Sequence, residues 1–142
     1  MSQVRINYVA VVVAAVVVFA IGFFWYSPLL FQVAWIQAHG YSQEQVDALS
    51  SSAGRTYGLS FICVLVMAVV LSILLGRTGT NTARGGATLG ALVWLGFAAT
   101  IGFMASLYTG APLALYLIDA GYQLVYLVAM GAILGWARAR KG

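Results

Sequence analysis

Charged residues are the scarcest feature of this 142-residue sequence, at 7% of the chain against 63% hydrophobic residues. A soluble domain carries about 25% charged residues. A chain with so few could not cover its own apolar core with polar surface, so a soluble globular protein is excluded. A membrane protein needs no such cover, because lipid solvates its exterior. The length allows one compact unit, and we predict a single integral membrane domain over residues 1–142.

Cysteine and histidine are almost absent as well, with one of each. The single Cys63 cannot form an intrachain disulfide, and we expect it to be packed inside the protein, where free cysteines are usually found. His39 and Asp119 together supply too few ligands for a specified metal site. No nucleotide-binding loop, metalloprotease motif, CxxC pair or nucleophile elbow occurs. The sequence therefore predicts no metal and no cofactor, and it favours a protein without enzymatic activity.

Long apolar runs are what the sequence does contain. They lie at about residues 8–26, 57–75, 86–108 and 113–136. Each has roughly the 20 residues needed to cross a hydrocarbon core of about 30 Å. Soluble helices would each show a polar face, and lipid-facing strands would alternate polar with apolar residues. The sequence thus predicts an all-α, membrane-embedded four-helix bundle, with membrane lipid as a partner and residues 27–56 as the long outer loop.

The basic residues lie at the ends of these runs and form no stripe along which a nucleic acid could bind, so nucleic acid is not an expected partner. With four spans, both chain ends and the loop between the second and third spans lie on one side of the membrane. Positively charged residues mark the cytoplasmic side, so we expect a bacterial inner-membrane protein with cytoplasmic N- and C-termini. That side holds Arg5, Arg77, Arg84, Arg138, Arg140 and Lys141, and the other holds Arg55.

The first apolar run ends at an unusual motif, Trp25-Tyr26-Ser27-Pro28, and an apolar stretch follows at residues 29–40. Twelve residues are too few to span, so Trp35 and His39 are expected on an interfacial or re-entrant helix. Ser42 and Gln45 then form a capping-box pattern, which predicts a short polar helix outside the membrane. This outer loop either anchors the first span or closes an outer vestibule. His39 is expected to be an interfacial residue without a special role.

The N-terminal sequence INYVAVVVAAVVVFAIGFFWYSPLLFQVAW resembles the bacterial membrane-protein family catalogued as domain of unknown function 1761. The resemblance rests on Gly22, the Trp-Tyr-Ser-Pro motif at residues 25–28, Phe31 and Trp35. The second half, from GALVWLGF to LIDAGYQLVYLVAMGAILG, is also similar to that family. The resemblance implies a four-span bacterial inner-membrane protein. It implies no activity and no catalytic residues.

Asp119 is the only acidic residue within any predicted span. It follows Pro112 by seven positions, which places it about 10 Å along the fourth helix. An ionisable group inside a membrane is by default a candidate proton or ligand site. The alternative is a structural Asp that ties the fourth helix to Ser106, Thr100 or the Trp94 indole. Polar and aromatic residues on the same broad helical face are Tyr116, Tyr122, Gln123 and Tyr126. Trp94, inside the third span, is expected either to pack at a helix crossing or to form a wall for an apolar ligand.

Small residues recur at four-residue spacing in the third and fourth spans, a pattern that lets membrane helices approach closely. This pattern predicts either close packing within the bundle or self-association. The glycines that carry it are Gly86, Gly90, Gly102, Gly131 and Gly135.

Three functions are compatible with these features. The first is a non-enzymatic membrane protein that self-associates and binds or conducts a small species at Asp119. The second is an accessory subunit of a larger membrane complex. The third is a lipid- or isoprenoid-modifying enzyme at the outer interface, acting through His39 and Asp119.

Overall fold

The computed structural model describes residues 3–141, and within them the chain forms helices and no strands. The prediction of an all-α fold is therefore confirmed. A π-helical turn, Trp94–Ala98, joins the fifth helix to the sixth, so that Ala83–Thr109 is continuous. The helices are α1 (Tyr8–Trp25), α2 (Gln32–His39), α3 (Gln43–Ser51), α4 (Ala53–Arg77), α5 (Ala83–Val93), α6 (Ala99–Thr109) and α7 (Leu113–Ala139).

Four of these helical stretches are long and apolar enough to cross a membrane: α1, α4, the continuous α5–α6 and α7. Each corresponds to one of the four predicted runs. The helices extend beyond the apolar runs, since α4 begins at Ala53 and α7 ends at Ala139. Hydropathy locates the segment inside hydrocarbon, whereas backbone hydrogen bonding continues the helix through the interface. The protein is thus a multi-pass helical membrane protein.

The helix α7 lies at the centre and packs against the other three spans. It runs antiparallel to α1 and to α5–α6, and parallel to α4. The main core lies between α1, α4 and α7, while α5 contributes only Leu89 and Val93 at its edge. Small side chains of α1 allow the helices to approach closely there. The buried core residues are Ala10, Val11, Ala14, Ala15 and Val18 of α1, Val64, Ala68, Leu71 and Leu75 of α4, and Met130, Leu134 and Ala137 of α7.

The two ends of the bundle differ in composition. At the end that holds both chain termini, called the terminal end, the Arg138 side chain donates a hydrogen bond to the Arg5 carbonyl (3.5 Å). The opposite end, called the motif end, holds residues 25–28, α2, α3 and the turn between α6 and α7. There Pro112 precedes the first residue of α7, where its missing N–H group is harmless.

At the motif end the chain reverses direction immediately after α1. The Phe31 N–H donates to the Trp25 carbonyl (3.0 Å), and the Ser27 hydroxyl donates to the Phe24 carbonyl (2.7 Å). These bonds use residues 27–31 in a turn, so α2 is shorter than the apolar stretch at residues 29–40 that we expected to be helical. It ends at Gly40, which adopts a left-handed φ of 69° that favours glycine.

The helix α3 begins as the sequence predicted. The Ser42 hydroxyl accepts a hydrogen bond from the Gln45 N–H (3.3 Å), and the Gln45 side chain accepts one from the Ser42 N–H (2.9 Å). Neither α2 nor α3 contains a buried residue. The helix α2 packs on α7 at the motif end, so the outer loop covers that end of the central helix.

The helices α5 and α7 approach until their backbones touch. A Cβ atom added to Gly86 would overlap the Gly131 carbonyl, and one added to Gly135 would overlap the Thr82 carbonyl. These contacts form a glycine seam made of Gly86, Gly90, Gly131 and Gly135. The four glycines therefore serve packing within the chain. Gly102 is not part of the seam, since an added Cβ would make an ordinary 3.6 Å contact with the Tyr116 ring.

Cys63 departs from expectation, because its side chain is exposed on the outer surface of α4 rather than packed inside the protein. Its neighbour Val64 takes the buried position instead. One residue corresponds to a rotation of about 100° in an α-helix. On a helix that is apolar on all sides, hydropathy does not show which of two adjacent residues points inward.

Candidate functional site

The Asp119 carboxylate is bound by two neutral side chains that lie far from it in the sequence. Its Oδ1 atom accepts a 2.6 Å hydrogen bond from the Tyr26 hydroxyl and a 3.2 Å bond from the Trp35 indole N–H. Tyr26 directly follows α1, and Trp35 lies on α2. The acid therefore connects the central helix to the outer loop. The structural alternative had predicted a bond from Asp119 to Ser106, Thr100 or Trp94 instead, and the structure shows none of these.

The Tyr26 hydroxyl makes the shorter of these two hydrogen bonds and acts as its donor. A tyrosine hydroxyl ordinarily has a pKa of about 10. The hydroxyl therefore keeps its proton throughout the physiological pH range. Among residues 3–141, Arg55 is the one arginine or lysine at the motif end, and it is exposed. Neutral groups, rather than an ion pair, thus hold the carboxylate.

Two further indoles bind the backbone on either side of Asp119. The Trp25 N–H donates to the Ile118 carbonyl (3.0 Å), and the Trp94 N–H donates to the Ala120 carbonyl (2.9 Å). We call Trp25, Trp35 and Trp94 the tryptophan cluster. A helical carbonyl has two lone pairs, so it can accept from an indole as well as from its own helix. The cluster fixes one turn of α7 from three different elements of the fold.

The π-helical turn explains how Trp94 reaches α7. In this turn the Ala99 N–H donates to the Trp94 carbonyl, five residues earlier instead of four. The extra residue changes the direction of the side chains on either side of it. Trp94 thus packs and donates at a helix crossing, and it is not among the residues that line the cleft described below.

The tyrosines of α7 point in different directions. The Tyr122 hydroxyl donates to the Val18 carbonyl of α1 (3.0 Å), and the Tyr126 hydroxyl lies 3.8 Å from the Met67 sulfur of α4. Tyr122 fits beside Gly22, where an added Cβ would lie only 2.6 Å from its hydroxyl. The Tyr116 hydroxyl instead donates to the Ala99 carbonyl of the third span (2.8 Å). The structure therefore separates Tyr122 and Tyr126 from the polar surface that faces α6.

A cleft of about 230 Å³, lined by both apolar and polar side chains, lies between α6 and α7 at the motif end, and Asp119 is one of the residues that line it. Gln123 lines it one turn further along the same face of α7. From α6 and its end come Gly102, Ser106 and Thr109. The structure thus joins Asp119 and Gln123, both named from the sequence as site residues, with Thr109, which was not named.

His39 contributes to the site indirectly, by packing against Trp35 and Tyr41. Its ring stacks on Tyr41, with centroids 4.4 Å apart, and meets the Trp35 ring edge-on at 4.2 Å. It therefore helps to orient the indole that binds Asp119. Within residues 3–141 no group of three or more His, Cys, Asp or Glu side chains is placed to hold a metal ion.

Ser27 and Pro28 contribute to the site through the backbone rather than by contact. Pro28 is exposed, and the Ser27 hydroxyl is used in the turn after α1. Their effect is to end the first span so that Tyr26 and Trp35 both reach the same carboxylate oxygen. The four-residue motif and the acid of the fourth span are therefore parts of one site.

These features define a class: a multi-pass helical membrane protein whose central helix carries an acid held by aromatic donors beside a cleft. The family model for the protein of unknown function DUF1761 matches residues 9–135. The chain belongs to this family, and the match includes the motif, α2 and Asp119. No curated protein and no solved structure matches the chain.

Proposed function

We propose that the protein is a non-enzymatic membrane protein that binds or conducts a small species at Asp119. One observation carries the proposal. Asp119 is fixed through a single oxygen, Oδ1, by Tyr26 and Trp35, and the same residue lines the cleft between α6 and α7. The bonds to Oδ1 orient the carboxylate, while the cleft gives a small species access to it. Ionisable groups inside membrane proteins commonly mark such pathways.

A purely structural role would not require an acid at this position. The oxygen of an asparagine could accept the same two hydrogen bonds, and Trp25 and Trp94 hold the backbone of the same turn independently. A charged Asp costs about 2.5–3.5 kcal/mol at the centre of a spanning helix, and less nearer the interface. The charge therefore supports a ligand-binding role.

The distribution of basic residues supports an orientation. Arg5, Arg77, Arg84 and the basic residues at 138–141 lie at the terminal end, and only Arg55 lies at the motif end. By the positive-inside rule this distribution supports cytoplasmic termini, and the membrane that we propose is the inner membrane of a bacterium. In this orientation α2 and α3 cover the outer face, and the cleft with Asp119 lies in the outer half of the membrane.

Self-association is part of the proposal, because four spans offer little surface for a pathway. The third span is the least buried of the four. Its side chains Phe97, Ile101 and Met104 are exposed next to the helix face that lines the cleft. An accessory subunit of a larger complex would use the same surface. The mass of the particle purified in mild detergent separates these two possibilities, since a homo-oligomer without other chains contradicts the second.

The enzymatic alternative receives no support from the geometry. His39 makes its contacts with Trp35 and Tyr41 and has no hydrogen bond to Asp119 within the described residues. An acid and a base that act together in catalysis need to reach a common proton. We therefore place the activity of the site in binding rather than in chemistry.

Carbodiimide labelling tests the proposal without knowledge of the ligand. Dicyclohexylcarbodiimide is an apolar reagent that converts protonated carboxyl groups in membrane proteins into stable adducts, which peptide mass spectrometry can locate. We expect Asp119 to be labelled in the purified wild-type protein. Ala105→Phe should prevent labelling, because Ala105 lines the cleft and the larger side chain would fill it.

The matched control is Met104→Phe. Met104 is adjacent in the sequence but does not line the cleft, so labelling of Asp119 should continue in this variant. An unreactive Asp119 in the wild-type protein, or equal labelling in both variants, would show that the cleft does not lead to the carboxylate. Either result would refute the proposed function.

A further inference from the structure

We infer that the species bound at Asp119 is a single monovalent cation of the alkali-metal type, held in the cleft between α6 and α7. This inference rests on the proposed function and specifies its ligand. It follows from three properties of the cleft: its charge, the kind of ligand atoms that line it, and its volume.

The charge of the cleft favours one positive charge. Asp119 is the only acidic side chain that lines it, and no basic side chain does so. The two donors to Oδ1 are neutral, so they orient the carboxylate without cancelling its charge. A divalent ion would leave an uncompensated positive charge inside the membrane, and calcium sites in proteins usually contain several carboxylates. An anion would be repelled.

The ligand atoms in the cleft favour a hard cation. Besides Asp119, the polar side chains that line the cleft and carry oxygen lone pairs are those of Gln123, Ser106, Thr109 and Tyr116. The Thr109 hydroxyl already donates its hydrogen to the Ala105 carbonyl (2.9 Å), so its oxygen can act only as an acceptor or a cation ligand. Neither an imidazole nor a thiolate lines the cleft, although transition metals prefer such ligands. Carboxylate, amide and hydroxyl oxygens together suit an alkali-metal ion.

The volume of the cleft indicates that the ion keeps part of its hydration shell. A water molecule occupies about 30 Å³ in the liquid. A cleft of about 230 Å³ therefore has room for a cation and several waters. Strong discrimination between Na⁺ and K⁺ requires that protein oxygens replace the hydration shell. We therefore expect both ions to bind, with only weak preference between them.

Protection from the carbodiimide measures this binding directly. A cation at the carboxylate competes with the proton that the reagent requires, so labelling slows when the cation binds. The wild-type protein is labelled at one pH and one ionic strength, in chloride salts of N-methylglucamine, Na⁺, K⁺ or Ca²⁺. We expect Na⁺ and K⁺ each to slow the labelling of Asp119 several-fold relative to N-methylglucamine, and Ca²⁺ to give no stronger protection than Na⁺.

Two threonines of the same helix provide a matched pair of variants. Thr109 lines the cleft and Thr100 does not, and each donates its hydroxyl hydrogen to the carbonyl four residues earlier. Thr109→Val should raise the cation concentration needed for half-maximal protection several-fold. Thr100→Val should leave that concentration unchanged, because it loses the same local bond without removing a cleft oxygen.

The possible failures are distinguishable. Labelling that Ala105→Phe prevents but that no alkali-metal ion slows would overturn the cation assignment and leave the proposed function standing. Stronger protection by Ca²⁺ than by Na⁺, or the same response in Thr109→Val and Thr100→Val, would also overturn it. An Asp119 that is not labelled in the wild-type protein would remove both the inference and the proposed function.

Discussion

The two halves of α7 are held in the bundle by different physical means. In the half nearer the terminal end, Gly131 and Gly135 bring the backbone of α7 into contact with that of α5. In the half nearer the motif end, indole and phenol side chains of other elements donate hydrogen bonds to α7. Contact between backbones leaves no space for a ligand, whereas side-chain hydrogen bonds hold the helix and leave a cleft beside it. The position of the cleft beside Asp119 follows from this difference.

The largest expected effect comes from Gly131→Ala in the glycine seam. The new Cβ would overlap the Gly86 carbonyl, and a backbone group has no rotamer that could move aside. Overpacking costs typically about 1–3 kcal/mol, and we expect a value near the upper limit. Gly96→Ala is the control, because no atom lies within 4 Å of its added Cβ. Thermal unfolding in detergent, followed by circular dichroism, should show a large loss for the first variant and none for the second.

A smaller effect is expected when the acceptor at the motif end is removed. Asp119→Ala leaves the Tyr26 hydroxyl and the Trp35 indole without their acceptor. Both groups are only partly buried, so we expect a loss below the value of about 1–3 kcal/mol that a fully buried unsatisfied group costs. Asp119→Asn keeps an oxygen at the same place and should be clearly more stable than Asp119→Ala. Unfolding free energies of both variants measure this difference. Equal destabilisation by the two substitutions would mean that the charge itself holds the fold together.

The smallest expected effect lies between α1 and α7, at the contact of Gly22 with Tyr122. Gly22→Ala would push the Tyr122 hydroxyl away from the Val18 carbonyl and cost about 1 kcal/mol, the value of one hydrogen bond. In a Tyr122→Phe background that bond is already absent, so the same substitution should cost less. A double-mutant cycle measures the coupling between the two residues. Additive effects would contradict the contact.

The spans, the capping box of α3 and the role of Asp119 as the one intramembrane acid could be predicted from local sequence. The partners of Asp119 could not, since Tyr26 lies 93 residues away along the chain. The depth of each residue in the membrane was a usable signal for this contact. Tyr26 directly follows the first span, and Asp119 lies two turns into the last one at the same end, so both are at similar heights in the membrane.

The orientation of each helix about its own axis is what the sequence specified least. Lipid and protein core both accept apolar side chains, so α1 shows no polar face to identify its outer side. The position of Cys63 was misjudged for this reason. Small residues give better information, because Ala14 and Ala15 are fully buried where neighbouring helices approach. The π-helical turn could not be predicted, because residues 94–98, WLGFA, continue the apolar run without a proline or a charged residue to mark it.

The π-helical turn at Trp94–Ala98 also sets the rotational register between the two halves of the third span. If the same residues formed a regular α-helix instead, with 3.6 residues per turn throughout, every later residue would be rotated by about 100° from its present position. The glycine seam of α5 would keep its place against α7, while Ser106 and Thr109 would turn away from Asp119. One inserted residue thus allows a single helix to present its glycines at one end and its hydroxyl oxygens at the other to the same neighbour.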